Sequence, residues 1–132
     1  MADNPMLEFA AVFVEESGGR LKEFKAAVAA LAADPAQPAE CEKARISSHT
    51  IRGMAAQMGY EDIAKISKEA ELLFVGLKKK GSAPTGEMVA GARDCAAALE
   101  KMFSGLSSGT APDGTETEKL VARMQELGRA LA

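Results

Sequence analysis

Apolar residues along this chain recur at spacings of three, four and seven, and no Val-Ile-Thr run alternates with period two. That is the signature of helices and not of strands. Near the N-terminus Phe9, Phe13, Leu21, Phe24, Val28 and Leu31 hold almost one phase. Asn4 before Pro5 supplies a cap oxygen and a first-turn proline. Ser17-Gly18-Gly19 interrupts the stripe, and each mid-helix glycine costs about 1 kcal/mol. Because the phase nearly survives, the expectation is one long helix, bent at that point, to about Ala33. The run Asp34-Pro35-Ala36-Gln37-Pro38 then stops it, since proline cannot continue a helix and restrains its predecessor.

A second helix is predicted from about Ala39 to Met58, with Gly59 as its stop. A third covers about Glu61 to Lys80, with Ile63, Ile66, Ala70, Leu73 and Leu77 on one stripe. It closes with Lys78-Lys79-Lys80-Gly81: cations at the negative end of the helix dipole, then a glycine. A fourth, about Thr85 to Phe103, carries Met88, Ala92, Cys95, Leu99 and Phe103. Residues 104–115 are rich in Ser, Gly, Thr and Pro and read as a linker. A last amphipathic helix, within 116–132, sets Leu120, Met124, Leu127 and Leu131 on one side. The fold class that follows is all-α: an antiparallel up-down four-helix bundle over residues 1–103, with an additional C-terminal fifth helix. That fifth helix either packs on one end of the bundle or serves a partner.

Composition narrows the function classes. The 132 residues suit one domain, and 47% hydrophobic with 27% charged residues is a globular balance. A formal charge of -3 argues against nucleic acid as main partner. No run of 18 apolar residues and no signal-like N-terminus appear, so a cytoplasmic protein with no membrane partner is expected. Cys41 and Cys95 form no C-x-x-C pair and read as small hydrophobes in a reducing compartment. With one histidine and no carboxylate-cysteine cluster near it, no metal site is expected.

That histidine, His49, carries the candidate chemistry. On a wheel of the second helix, Ala44, Ser47, Ser48, Ile51, Met54, Ala55 and Met58 make the core stripe. His49 lies about 160° from Ile51, on the outer face with Arg45, Ile46, Arg52, Gly53 and Ala56. A glycine one helical turn beyond it, two flanking arginines and otherwise small or apolar neighbours suit a docking face better than a plain solvated one. His49 is 11 residues before Tyr60 and Glu71 is 11 after it, so both stand at one height in the hairpin. Two arrangements are open to Glu71. It can take the imidazole and leave the other ring nitrogen free as a nucleophile, or it can form an ordinary ion pair with Arg52 or Lys68.

Ser48-His49-Thr50-Ile51-Arg52-Gly53, then Met58-Gly59-Tyr60 and Glu71-Leu72-Leu73, resembles the histidine-containing phosphotransfer (HPt) domain. The likeness is strongest to the version at the N-terminus of chemotaxis-type sensor kinases, and Phe9, Phe13 and Glu16 fit that family's first helix. It covers about residues 5–103, and nothing in the chain resembles an ATP-binding domain. Two positions depart from the pattern: Arg52 stands where lysine is usual, and Met54 where a small residue is common. The resemblance implies that His49 is the phosphoacceptor, that Glu71 orients its imidazole, and that Arg52 supplies phosphoryl charge. Docking is expected through the outer face that holds Arg45, Ile46, Gly53 and Ala56, with Lys68 on the next helix, and the resemblance implies partners of two kinds: a response-regulator receiver domain and a histidine kinase ATP-binding domain. No cofactor is bound directly, Mg²⁺ coming from the partner, and a monomer is expected. Two other classes stay open: a non-phosphorylated module docking on a kinase or receiver, and a structural bundle that self-associates through its last helix.

Overall fold

The computed structural model describes residues 5–110 and 114–132. The Asn4 cap expected for the first helix lies outside them. Five helices follow one another: α1 (Pro5–Ala33), α2 (Pro38–Met58), α3 (Glu61–Lys80), α4 (Gly86–Ser107) and α5 (Thr117–Arg129). Helix α1 runs unbroken through Ser17-Gly18-Gly19. Ser17 is fully buried there, and its hydroxyl donates to Met54 Sδ at 3.4 Å.

Two glycines end helices as the sequence predicts. Gly59 (φ 76°) and Gly81 (φ 61°) adopt the left-handed conformation that favours glycine. After each, the chain folds back onto the last turn: Tyr60 N–H donates to Ala55 O at 2.9 Å, and Ser82 N–H to Leu77 O at 3.1 Å. These 6→1 bonds satisfy carbonyls that a helix end leaves without partners. At the start of α4 the Thr85 side chain accepts from Met88 N–H at 3.2 Å.

Helices α1 to α4 form the antiparallel bundle, α1 lying against α2 and α4, and α3 against α2 and α4. Its core includes Phe24, Val28 and Leu31 of α1, Ile51 of α2, Ile63, Ile66, Leu73 and Phe74 of α3, and Cys95 and Leu99 of α4. At the end beside the Gly59 turn, Phe13 packs edge-on to Tyr60 with ring centroids 5.0 Å apart, and tilted on Phe103 at 5.2 Å.

Three expectations need correction. Phe9 is 56% exposed, and Ala10 is the buried residue of that turn. Met54 and Met58 are half-buried at the edge of the α2 stripe rather than inside it. Helix α4 continues to Ser107, so residues 104–107 are helix and not linker. Leu106 explains the extension, since it extends the stripe of Leu99 and Phe103 and is buried.

Helix α5 lies along the side of the bundle, against α3 and α4. The pairs Lys65–Glu118 and Glu69–Gln125, with Gly76 beside Leu131, make it parallel to α3. The Arg123–Asp94 pair and the seat of Leu127 on Gly91 make it antiparallel to α4. The approach at the seat is close: a Cβ on Gly91 would stand 2.8 Å from Leu127 Cδ1 and 2.9 Å from Met124 Sδ, so those side-chain ends would have to shift. Met124 is 2% exposed, the most deeply placed side chain of α5's apolar stripe. No helix among the described residues is long and apolar enough to cross a membrane.

Candidate functional site

The short α2–α3 turn sets the register of the whole hairpin. Glu42 and Lys78, 18 residues before and after Tyr60, pair across it at 3.0 Å. The same register brings His49 and Glu71 together: Nδ1 and Oε2 are 2.8 Å apart. Glu71 is buried, its side chain 9% exposed, whereas the His49 side chain is 65% exposed. An ionised carboxylate only accepts hydrogen bonds, so Nδ1 carries the proton and donates. That fixes the neutral ring in the tautomer whose Nε2 lone pair is free.

Glu71's second oxygen is also engaged. Arg52 Nη1 donates to Oε1 at 2.8 Å. Burial pushes the Glu71 carboxyl up, but the hydrogen bonds from Arg52 and His49 outweigh it and hold the group below its ordinary value. Both arrangements open to Glu71 in the sequence are therefore realised at once, one on each oxygen. Arg52, expected beside an incoming phosphoryl group, thus has one guanidinium nitrogen on the carboxylate.

Arg45 grips Glu42 with both ends of its fork, Nε to Oε1 at 2.6 Å and Nη2 to Oε2 at 3.0 Å. With Lys78 as second donor, Glu42 is held down at about 2. This second ion cluster was not anticipated from the sequence, where Lys78 reads as part of a helix cap. Its signal was the equal distance of Glu42 and Lys78 from Tyr60. Around His49 the docking candidates on α2 are open: Ile46 is 47% exposed, Ala56 is exposed, and a Cβ on Gly53 would meet nothing within 4 Å. Lys68, on α3 one turn before Glu71, is exposed too.

The bundle thus holds one imidazole nitrogen with a buried carboxylate while most of the His49 side chain stays open to solvent. The chain belongs to the Hpt domain family, whose sequence model matches residues 8–109. Among solved structures it is similar to the phosphorylated P1 domain of CheA3 in complex with CheY6 from R. sphaeroides, at a TM-score of 0.84. The match covers 96% of this chain and 99% of that one at 20% identity, so it speaks for the fold, fifth helix included. No curated protein is matched.

Proposed function

We propose that His49 accepts a phosphoryl group on Nε2 and passes it to an aspartate of a response-regulator receiver. The observation that carries this reading is the Nδ1–Glu71 bond at 2.8 Å on an imidazole that is otherwise open to solvent. The donor is ATP held by a histidine kinase domain or the phospho-aspartate of another receiver. In the accepting step the Nε2 lone pair attacks phosphorus in line. The Nε2–P bond forms as the bond to the leaving oxygen breaks, and Nδ1 keeps its proton against Glu71. The ring then carries the positive charge of a phosphoimidazolium, which the carboxylate beneath it stabilises. When the phosphoryl group moves on, the ring leaves as neutral imidazole with that proton still in place. The bundle's part is positioning; Mg²⁺ is supplied by the partner. The R. sphaeroides neighbour is itself phosphorylated and bound to CheY6, which supports a receiver as partner and a chemotaxis-type pathway.

The test is to incubate the protein with a phosphorylated receiver, or with a histidine kinase and labelled ATP, and to treat the product with acid and base. Label that is acid-labile and base-stable, and absent from His49→Gln, is expected. His49→Gln should remain folded, the loss of its hydrogen bond to the buried Glu71 costing at most about 1–3 kcal/mol. A labelled His49→Gln protein would sink the assignment.

A further inference from the structure

A buried carboxylate against an imidazole has two opposing effects on a phosphoacceptor. It aligns the ring and leaves Nε2 free, but its charge also favours the imidazolium, whose Nε2 is protonated and cannot attack. Something must offset that charge if the ring is to stay a nucleophile near neutral pH.

The groups around His49 leave one candidate in direct contact with Glu71. On α2 these are Arg45, committed to Glu42, and Arg52, which donates to Glu71 Oε1 at 2.8 Å. On α3 they are Glu71 itself and the exposed Lys68. From α1, the Ser17–Met54 contact places Lys22 at the level of His49, on that helix's exposed face. Helices α4 and α5 bring no Cα within 8 Å of α2 among the described residues. We infer that Arg52 is a positioning residue acting through Glu71: its guanidinium offsets the carboxylate's charge, so that removing it would strengthen the hold of Glu71 on a proton of the His49 ring. The inference rests on the phosphotransfer reading and deepens it, and it assigns Arg52 to the carboxylate rather than to the phosphoryl group.

The two roles separate by pH. The probe is potassium phosphoramidate, a small donor that needs no protein partner. Its P–N bond breaks, the Nε2–P bond forms, and ammonia leaves with the reagent's own protons. Labelling of His49 is followed by ³¹P NMR from pH 6 to 9 for the parent, Arg52→Gln and Arg52→Lys. Taking the variant-to-parent rate ratio removes the reagent's own titration. Moving the acidic limb of the profile up by about one pH unit lowers the rate by up to tenfold on the acid side of that limb and by less above it. The Arg52→Gln ratio should therefore be lowest at the acid end of the range, approaching about one-tenth there, remain a few-fold below one near pH 7, and return toward one by pH 9. Arg52→Lys, which keeps the charge, should stay near one throughout. Arg52→Met, which keeps the aliphatic stem, must repeat the glutamine profile, so a folding defect peculiar to one variant cannot imitate it. A reduced ratio that is flat with pH overturns the inference in favour of direct phosphoryl contact. A ratio of one at every pH overturns it outright. A parent that takes no label overturns the phosphotransfer reading and this inference with it.

Discussion

Gly53 lies inside α2, one turn after His49, with no turn or positive φ to require it. A Cβ built there meets nothing within 4 Å. Gly53→Ala should then stabilise the fold by about 1 kcal/mol through helix propensity and the stiffer unfolded chain. With an unfolding entropy of about 2.1 cal/mol/K per residue, 132 residues convert that into a Tm rise of about 3–4 °C. Gly53→Leu should likewise melt no lower than the parent, because its side chain enters open space. The functional outcome should have the opposite sign. Side chains four apart on a helix have Cβ atoms about 5–6 Å apart, so leucine branches reach the edge of the imidazole. A receiver must bring its phosphorus within about 3–3.5 Å of Nε2, and small misplacements can cost about 10²-fold. Timed transfer to a receiver should be near normal for Gly53→Ala and at least ~10²-fold slower for Gly53→Leu. Labelling by phosphoramidate, too small to be excluded, should fall far less in the leucine variant. If Gly53→Leu transfers to the receiver at the parent's rate, the docking face is elsewhere. If it melts below the parent, Gly53 is a packing residue and the argument fails.

Glu71→Gln should slow acceptance at His49 by less than the ~10²-fold typical of losing a general base, since the residue orients and does not abstract a proton; an unchanged rate refutes the role. The same variant has a signature in stability. The carboxyl is held below its ordinary value in the fold, so its contribution is present above the unfolded value of about 4.3 and is lost as pH falls through the lower folded value. The stability gap between parent and Glu71→Gln, measured by urea titration, should hold above about pH 5 and shrink under more acid conditions. Met124→Ala empties the α5 seat at a 2% exposed site and should cost about 2–4 kcal/mol, or roughly 10 °C in Tm. Because α5 packs on α3 and α4 and brings no Cα within 8 Å of α2, phosphoramidate labelling of His49 in that variant should match the parent below its melting range.

How much of this was legible beforehand depends on how far each feature lies from its cause along the chain. The helices and their ends were legible because their causes are local. Apolar spacing marks α1 to α5, and Gly59 and Gly81 stop two of them by adopting a conformation that other residues resist. The His49–Glu71 pair was legible for a related reason. A tight turn joins α2 and α3, so equal rise per residue places partners at equal distances from Tyr60. Periodicity overreached at the flank of a stripe: Phe9 follows the core phase, but its neighbour Ala10 takes the buried place on that turn and Phe9 stays 56% exposed. Composition misjudged residues 104–107, whose serines and glycine suggested a linker while one buried leucine kept α4 going.

What only the tertiary structure decided were the choices among several reachable partners. The register brought Arg52, Lys68 and His49 all within reach of Glu71, but it took packed side chains to show one oxygen on His49 and the other on Arg52. The seat of α5 was open for a similar reason. Its long connection to α4 sets no register, so its place depends on where the bundle surface admits close approach. Gly76 and Gly91 provide that on two different helices, and no spacing within α5 encodes a groove that only α3 and α4 together create.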